Sequence, residues 1–177
     1  AGCGGVGHVG IQLAKHCGAT VHTTVSSQKK ADLATCFGAD QTIIYPGLSV
    51  DDYVAENTAK LGYDVIFDTV GSKNLDASFE AARFGGKVIN IAARSSHNLA
   101  PMHTKGLTLH VVFLVGMVAN PKNRRAIQPR LNRLKDLVEE GKLRPLLDES
   151  RFKFEDVADA HAYLESGKAI GKVILMR

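Results

Sequence analysis

No apolar run in these 177 residues approaches the length of a membrane span, which excludes a spanning helix within them. The first residues also lack the charged-then-apolar layout of a secretory signal. Cysteine is scarce: Cys3, Cys17 and Cys36 form no CxxC pair, and an odd, sparse set suits a reducing compartment such as the cytosol better than a disulfide framework. Aromatic residues make up 6% and the net charge is only +4. No nucleic-acid motif accompanies the basic stretch Lys122, Arg124, Arg125, Arg130, Arg133 and Lys135. It therefore reads as a solvated helix face, and no nucleic-acid partner is expected. Internal repeats and low-complexity tracts are absent as well.

What is present is alternation. Helical periodicity runs from Val6 to Cys17, and a β-branched strand covers Thr20 to Val25. A helix is predicted over Gln28 to Phe37, a strand over Gln41 to Tyr45, a helix over Asp51 to Lys60 and a strand over Asp64 to Phe67. A helix over Asn74 to Arg83, strands over Lys87 to Ala92 and Leu107 to Val115, and a helix from about Asn123 to Glu140 follow. Apolar strands separated by short helices indicate βαβ units, an α/β fold with a parallel sheet covered on both faces. Beyond Gly141 the pattern changes: Leu143 to Phe154 is mixed, Glu155 to Ser166 helical, and Gly171 to Met176 a last strand. The expected division is 1–142 and 143–177.

The opening reads Ala-Gly-Cys-Gly-Gly-Val-Gly-His-Val-Gly, in which Gly2, Gly4 and Gly7 satisfy GxGxxG and Gly5, Gly7 and Gly10 satisfy it again. The pattern gains weight from the amphipathic helix that follows at once and the strand after it. A pyrophosphate needs close backbone approach, which a Cβ would block, and free N–H groups at a helix N-terminus. A purely structural tight turn is the alternative. The fingerprint also calls for a strand directly before the glycines, in mid-sheet, so a Rossmann-type doubly wound sheet lacking its first strand, a segment of a longer protein, is expected. Each ladder group left bare would cost about 1–3 kcal/mol, and the segment would fold poorly alone.

The cofactor is read from a second absence. NAD-selective domains place an acid at the end of the second strand, about 20 residues past the glycines, for the ribose 2′-OH. Here Val21 to Lys30 contains no acid, and Asp32 falls inside the next helix. Ser26, Ser27, Lys29 and Lys30 offer hydroxyls, a helix N-terminus and cations that suit a 2′-phosphate, which points to NADPH. Ser26 or Ser27 also serves as a helix cap, and both roles are compatible.

Ala1-x-x-Gly4-Gly5-Val6-Gly7, Gln12-Leu-Ala-Lys15, Gly18-Ala19, Ser26-Ser27-x-x-Lys30, Gly38-Ala39-Asp40, Tyr45, Asp64-Val-Ile-Phe-Asp-Thr-Val-Gly71 and Gly171-Lys-Val-Ile-Leu175 follow in order. Together they resemble the cofactor-binding half of a medium-chain dehydrogenase/reductase, in the quinone oxidoreductase branch, across essentially the whole chain. The resemblance implies that Gly4, Gly5, Val6 and Gly7 carry the pyrophosphate. It implies that Ser27, Lys30 and Tyr45 hold the 2′-phosphate, and that Val70 and Gly71 line the adenosine and ribose side. Ala92 and the backbone from Phe113 to Val115 would flank the nicotinamide. The tail from Leu143 would return to a catalytic domain outside this sequence.

The implied reaction is hydride transfer from NADPH to a small-molecule acceptor, a quinone or an α,β-unsaturated carbonyl; no acid, base or other catalytic residue is assigned. A zinc alcohol dehydrogenase of the same superfamily and a non-catalytic NADPH-binding sensor are the rivals, with a methyltransferase-type domain weaker. His97, His103 and His110 do not fall at a zinc spacing, so no metal site is predicted. Cys3 reads as a small residue that fits the turn rather than a thiol activated at a helix N-terminus. Asp68 reads as a carboxylate that bonds backbone at a strand end. The strand 107–115 would either pair across a homodimer axis or lie inside the sheet.

Overall fold

The computed structural model describes residues 2–177, leaving Ala1 of the opening motif outside the described residues. The elements alternate: α1 (Gly7–His16), β1 (His22–Val25), α2 (Gln28–Cys36), β2 (Gln41–Ile44), α3 (Val50–Thr58), β3 (Tyr63–Asp68), α4 (Lys73–Ala81) and β4 (Ala82–Asn90). Then come α5 (Ala100–Lys105), β5 (Thr108–Val111), α6 (Leu114–Ala119), α7 (Pro121–Arg124), α8 (Gln128–Glu139), β6 (Phe152–Lys153), a 3₁₀ turn (Phe154–Asp156), α9 (Val157–Glu165) and β7 (Leu175–Met176). All strand pairs are parallel, β1 with β2, β3 with β4 with β5, and β6 with β7, so the strands form three separate sheets among the described residues.

Two compact units result. One comprises the residues up to Ile44 together with Arg133–Arg177; the other is Tyr45–Asn132. The first has a core of Cys3, Ile11, Val21, Val25, Ala31, Ala34 and Ala39, against which Ala14, Phe37 and Ile170 pack. Small residues on α2 let that helix lie close to β1 and β2. The second has its core at Leu75, Phe79, Ala82 and Val88, packed by Ile66, Met102 and Leu109. Here one face of α4 meets β4, which gives the 3.6-residue pattern of that helix its cause.

Four expected elements differ, the last strand, expected over Gly171 to Met176, being confined to Leu175–Met176. The strand predicted over Leu107 to Val115 is short, ending at Val111, and Leu114 and Val115 belong to α6. A brief apolar run carries no period that separates strand from helix. The helix predicted from Asn123 to Glu140 is split, with α7 ending at Arg124 and α8 starting at Gln128. Pro129 has no N–H for the Arg125 carbonyl, so a continuous helix cannot bond there. The strand expected from Lys87 starts at Ala82, and an irregular pairing between Tyr63 and Val65 absorbs the extra residues around Gly85 and Gly86.

Candidate functional site

The glycine turn enters α1 without a side-chain cap, because the N-cap position is Val6. The N–H groups of Gly5, Val6 and Gly7 meet no acceptor among the described residues. Helix entry thus presents unspent donors and the positive end of the α1 dipole. Beside them stands Lys172, from the far end of the chain: a Cβ built on Gly5 would lie 3.2 Å from its ammonium. Lys172 forms no ion pair among the described residues. A small turn with bare amides and an uncommitted cation is an anion cradle.

The turn is braced from behind by the C-terminal segment. His8 is fully buried; its Nε2 accepts the Leu146 N–H at 2.9 Å, which leaves Nδ1 to donate to the Gly4 carbonyl at 2.8 Å. Gln12 donates to the carbonyls of His8 and Arg144, both at 2.9 Å, and accepts the Arg144 N–H at 2.8 Å. The Gly171 N–H bonds the Cys3 carbonyl at 3.0 Å. Gly171 has φ +84°, and a Cβ there would run into the Leu146 carbonyl, so this close approach requires glycine.

The same unit carries the candidate 2′-phosphate residues. Ser27 is the N-cap of α2, its Oγ accepting the Lys30 N–H at 3.4 Å. Cys3 Sγ donates to the Lys30 carbonyl at 3.0 Å, which ties the start of α2 to the glycine turn. Burial pushes the Cys3 thiol up, more than the nearby Lys30 charge lowers it. Cys3 is therefore a buried fastening and not an activated nucleophile. Asp40 bonds Lys15 Nζ at 2.8 Å and the Val21 N–H at 2.6 Å, a structural clasp at the base of β1.

In the second unit β3, β4 and β5 run parallel, so Val70 and Gly71, Ala92 and Phe113 all follow strand ends on one edge. Asp68 organises that edge. Its Oδ1 accepts the N–H groups of Val70 at 2.9 Å and Gly71 at 3.0 Å and the Asn74 amide at 2.8 Å. Its Oδ2 accepts from Asn90 Nδ2 at 2.7 Å, and Asn90 Oδ1 in turn takes the Ala92 N–H at 2.7 Å. Gly71 sits at φ +71° with the Ala92 carbonyl where its Cβ would be, so these two sequence-predicted residues touch. Ser72 is held at φ +51°, a strained value for a residue with a Cβ, at the entry to α4. Val70, Phe113 and Val115 are exposed, and the Arg94 guanidinium lies 5.8 Å from the Phe113 ring centre.

Gly4 to Gly7, Ser27 and Lys30 thus share one unit, while Val70, Gly71, Ala92, Phe113 and Val115 share the other with Tyr45, an exposed residue just after β2. Sequence reading missed Lys172, His8, Gln12 and Asn90. Lys172 stood inside a quoted motif, Gly171-Lys-Val-Ile-Leu175, but nothing local placed it on the glycine turn. Among the described residues no three His, Cys, Asp or Glu side chains gather as metal ligands. No helix of the described residues is long and apolar enough to cross a membrane.

The family model described as zinc-binding dehydrogenase matches residues 37–175. An NADPH-dependent alkenal/one oxidoreductase, chloroplastic, of Arabidopsis thaliana is 34% identical over 181 residues, covering 98% of this chain and 38% of that protein. The crystal structure of an alcohol dehydrogenase superfamily protein from Novosphingobium aromaticivorans superposes with a TM-score of 0.88 at 32% identity, covering 99% of this chain and 54% of that one. Escherichia coli quinone oxidoreductase complexed with NADPH superposes with a TM-score of 0.87 at 26% identity, covering 100% of this chain and 55% of that one. This chain therefore spans well under two thirds of each relative.

Proposed function

Because the chain belongs to the zinc-binding dehydrogenase family of the medium-chain dehydrogenase/reductase superfamily, we propose that it is the NADPH-holding part of a reductase that passes hydride to a quinone or an α,β-unsaturated carbonyl. The observation that carries this is the first unit's anion-binding surface. Bare amides at Gly5 to Gly7 and the Lys172 ammonium stand beside the turn, and Ser27 and Lys30 are tied to it by one Cys3 bond. No carboxylate between Val21 and Lys30 opposes a 2′-phosphate. The Arabidopsis relative named for NADPH and the Escherichia coli structure holding it support the same cofactor.

On this reading the backbone of Gly4, Gly5, Val6 and Gly7, with Lys172, holds the pyrophosphate. Ser27, Lys30 and Tyr45 hold the 2′-phosphate. Val70 and Gly71, fixed by Asp68, line the ribose side, while Ala92, Phe113 and Val115 flank the nicotinamide. When bound, the cofactor supplies the hydride. The chain's residues hold it, orient it and exclude water. Residues 1–142 supply most of the dinucleotide-binding surface, 143–177 brace the glycine turn and bring Lys172 to it, and a further domain bears the substrate pocket. The three free cysteines fit a reducing compartment such as the cytoplasm, and β5, at the end of the β3–β4–β5 order, is the strand through which a homodimer would pair.

Steady-state assay of the full-length protein with NADPH and with NADH, over 1,4-quinones and 2-alkenals, tests this. Turnover with NADPH at a kcat/KM at least about tenfold above that with NADH, or about 1.4 kcal/mol, is expected. Activity with NADH alone, or none over the panel, overturns the proposal.

A further inference from the structure

A hydrogen-bonded chain of Asp76, His97 and Ser95 plays no part in the cofactor site described above. His97 Nδ1 lies 2.7 Å from Asp76 Oδ1, and its Nε2 lies 2.6 Å from the Ser95 hydroxyl. The His97 side chain is nearly enclosed, 8% exposed, with Phe79 packed edge-on against the ring at 6.3 Å. Ser95 itself is exposed. Asp76 stands in the first turn of α4, just after β3, and Ser95 and His97 lie on the segment that follows β4. All three therefore belong to the C-terminal edge of the β3–β4–β5 sheet. Open α/β sheets bind their ligands at that edge.

The contrast with His8 shows why this is more than a brace. His8 spends both ring nitrogens on backbone groups, as a structural histidine does. His97 needs its bond to Asp76 to fasten the segment to α4, yet its second nitrogen faces an exposed hydroxyl. With Nδ1–H donating to the carboxylate, Nε2 accepts from Ser95 when the ring is neutral and donates to it when protonated. Asp76 is the charged group bonded to the ring. On the neighbouring segments Arg94 is stacked over Phe113, and Lys105 of α5 is spent on the carbonyls of Phe79, Glu80 and Ala82.

We propose that Asp76, His97 and Ser95 form a proton relay in which Ser95 donates to the substrate the proton that accompanies hydride transfer. This rests on reading the chain as part of an enone or quinone reductase. Reduction of an activated C=C bond adds one hydride and one proton. Hydride addition at the β-carbon leaves an electron pair shared between the α-carbon and the carbonyl oxygen. That pair takes the Ser95 hydroxyl proton, so a C–H bond forms as the O–H bond breaks. The serine oxygen takes the Nε2 proton of protonated His97. The ring, now neutral and still donating Nδ1–H to Asp76, regains its proton from water after product leaves. Asp76 is a positioning residue that fixes the ring and stabilises its charge.

The test uses the full-length protein and the variants Ser95→Ala, His97→Gln and Asp76→Asn. It measures kcat against pH with a 2-alkenal, and NADPH affinity by the fluorescence of the binary complex. Ser95→Ala and His97→Gln should lower kcat by about 10²-fold and flatten its dependence on pH. NADPH affinity should stay within about threefold, and Asp76→Asn should fall between wild type and these. Loss of NADPH affinity in proportion to kcat overturns the relay, since it marks a loop brace. If His97→Gln does not fold, Ser95→Ala, at an exposed side chain, decides alone. Wild-type turnover left intact by Ser95→Ala overturns the relay only. A wild-type protein with no turnover overturns the reductase reading and the relay with it.

Discussion

Replacing His8 by phenylalanine probes how the cofactor turn is held. The ring is fully buried, 5.7 Å from the Phe37 ring, and a second aromatic of similar size fills the same space. The substitution removes both ring bonds; the Leu146 N–H loses its partner, while the Gly4 carbonyl keeps only the longer bond from the His8 N–H at 3.4 Å. An orphaned backbone N–H costs about 1–3 kcal/mol, and because the Gly4 carbonyl keeps the His8 N–H, the predicted loss is about 1–3 kcal/mol. That is a large share of an ordinary domain stability of about 5–15 kcal/mol. Urea unfolding of the full-length protein, with and without NADPH, measures it. Wild type should gain about 2.7 kcal/mol at a cofactor concentration of 100 times Kd, and the variant less at the same concentration, because binding must also reorder the Gly4 carbonyl. A His8→Phe protein within about 0.5 kcal/mol of wild type would refute the bracing argument.

Other perturbations address the remaining parts. Lys172→Met should raise the KM for NADPH roughly tenfold with kcat little changed, since an ammonium–phosphate bond contributes about 1.5–3 kcal/mol; an unchanged KM would remove Lys172 from the site. Ser27→Ala with Lys30→Ala should weaken NADPH by about 10²-fold and leave NADH within about threefold, measured by kcat/KM for each cofactor; equal losses for both would show that the pair does not read the 2′-phosphate. Gly71→Ala forces a Cβ into the Ala92 carbonyl at a left-handed backbone position, and should cost more than about 1 kcal/mol in denaturant titration. Asp148 is buried, which works against its charge, yet donors from Ser150, the Ile170 N–H and Tyr163 outweigh that and hold its carboxyl at about 2. A depressed carboxylate adds stability above its unfolded value of about 3.9 and loses it as pH falls towards the folded one. Asp148→Asn should therefore abolish the part of the stability slope between about pH 4 and 2 that wild type shows; identical slopes would disprove it.

How much of this was legible varied with the range of the interaction. The helix Gly7–His16 and the strands His22–Val25 and Gln41–Ile44 follow the local periodicity closely, because one face of each is buried by its neighbours in sequence. Ser27 is legible as a cap for the same reason, since its partner is three residues away. Asp68 is legible at one oxygen, which bonds Val70 and Gly71; its bond to Asn90 crosses 22 residues and leaves no mark in the pattern. The helix Leu114–Ala119 was unreadable, because six apolar and small residues hold no period that distinguishes helix from strand.

The sequence by itself determined the α/β alternation and the glycine-rich helix entry. It also determined the absence of an acid after β1, since each depends on residues within a few positions of one another. Only the tertiary structure decided what stands around that entry. Lys172 arrives beside Gly5 from the other end of the chain, and Gln12 and His8 clasp Arg144 and Leu146 across 132 and 138 residues respectively. The same holds for Asp76, His97 and Ser95, joined across 21 residues between two sheet crossovers. Such contacts are set by how whole elements pack, and a one-dimensional pattern carries no record of which backbone group a distant side chain will meet.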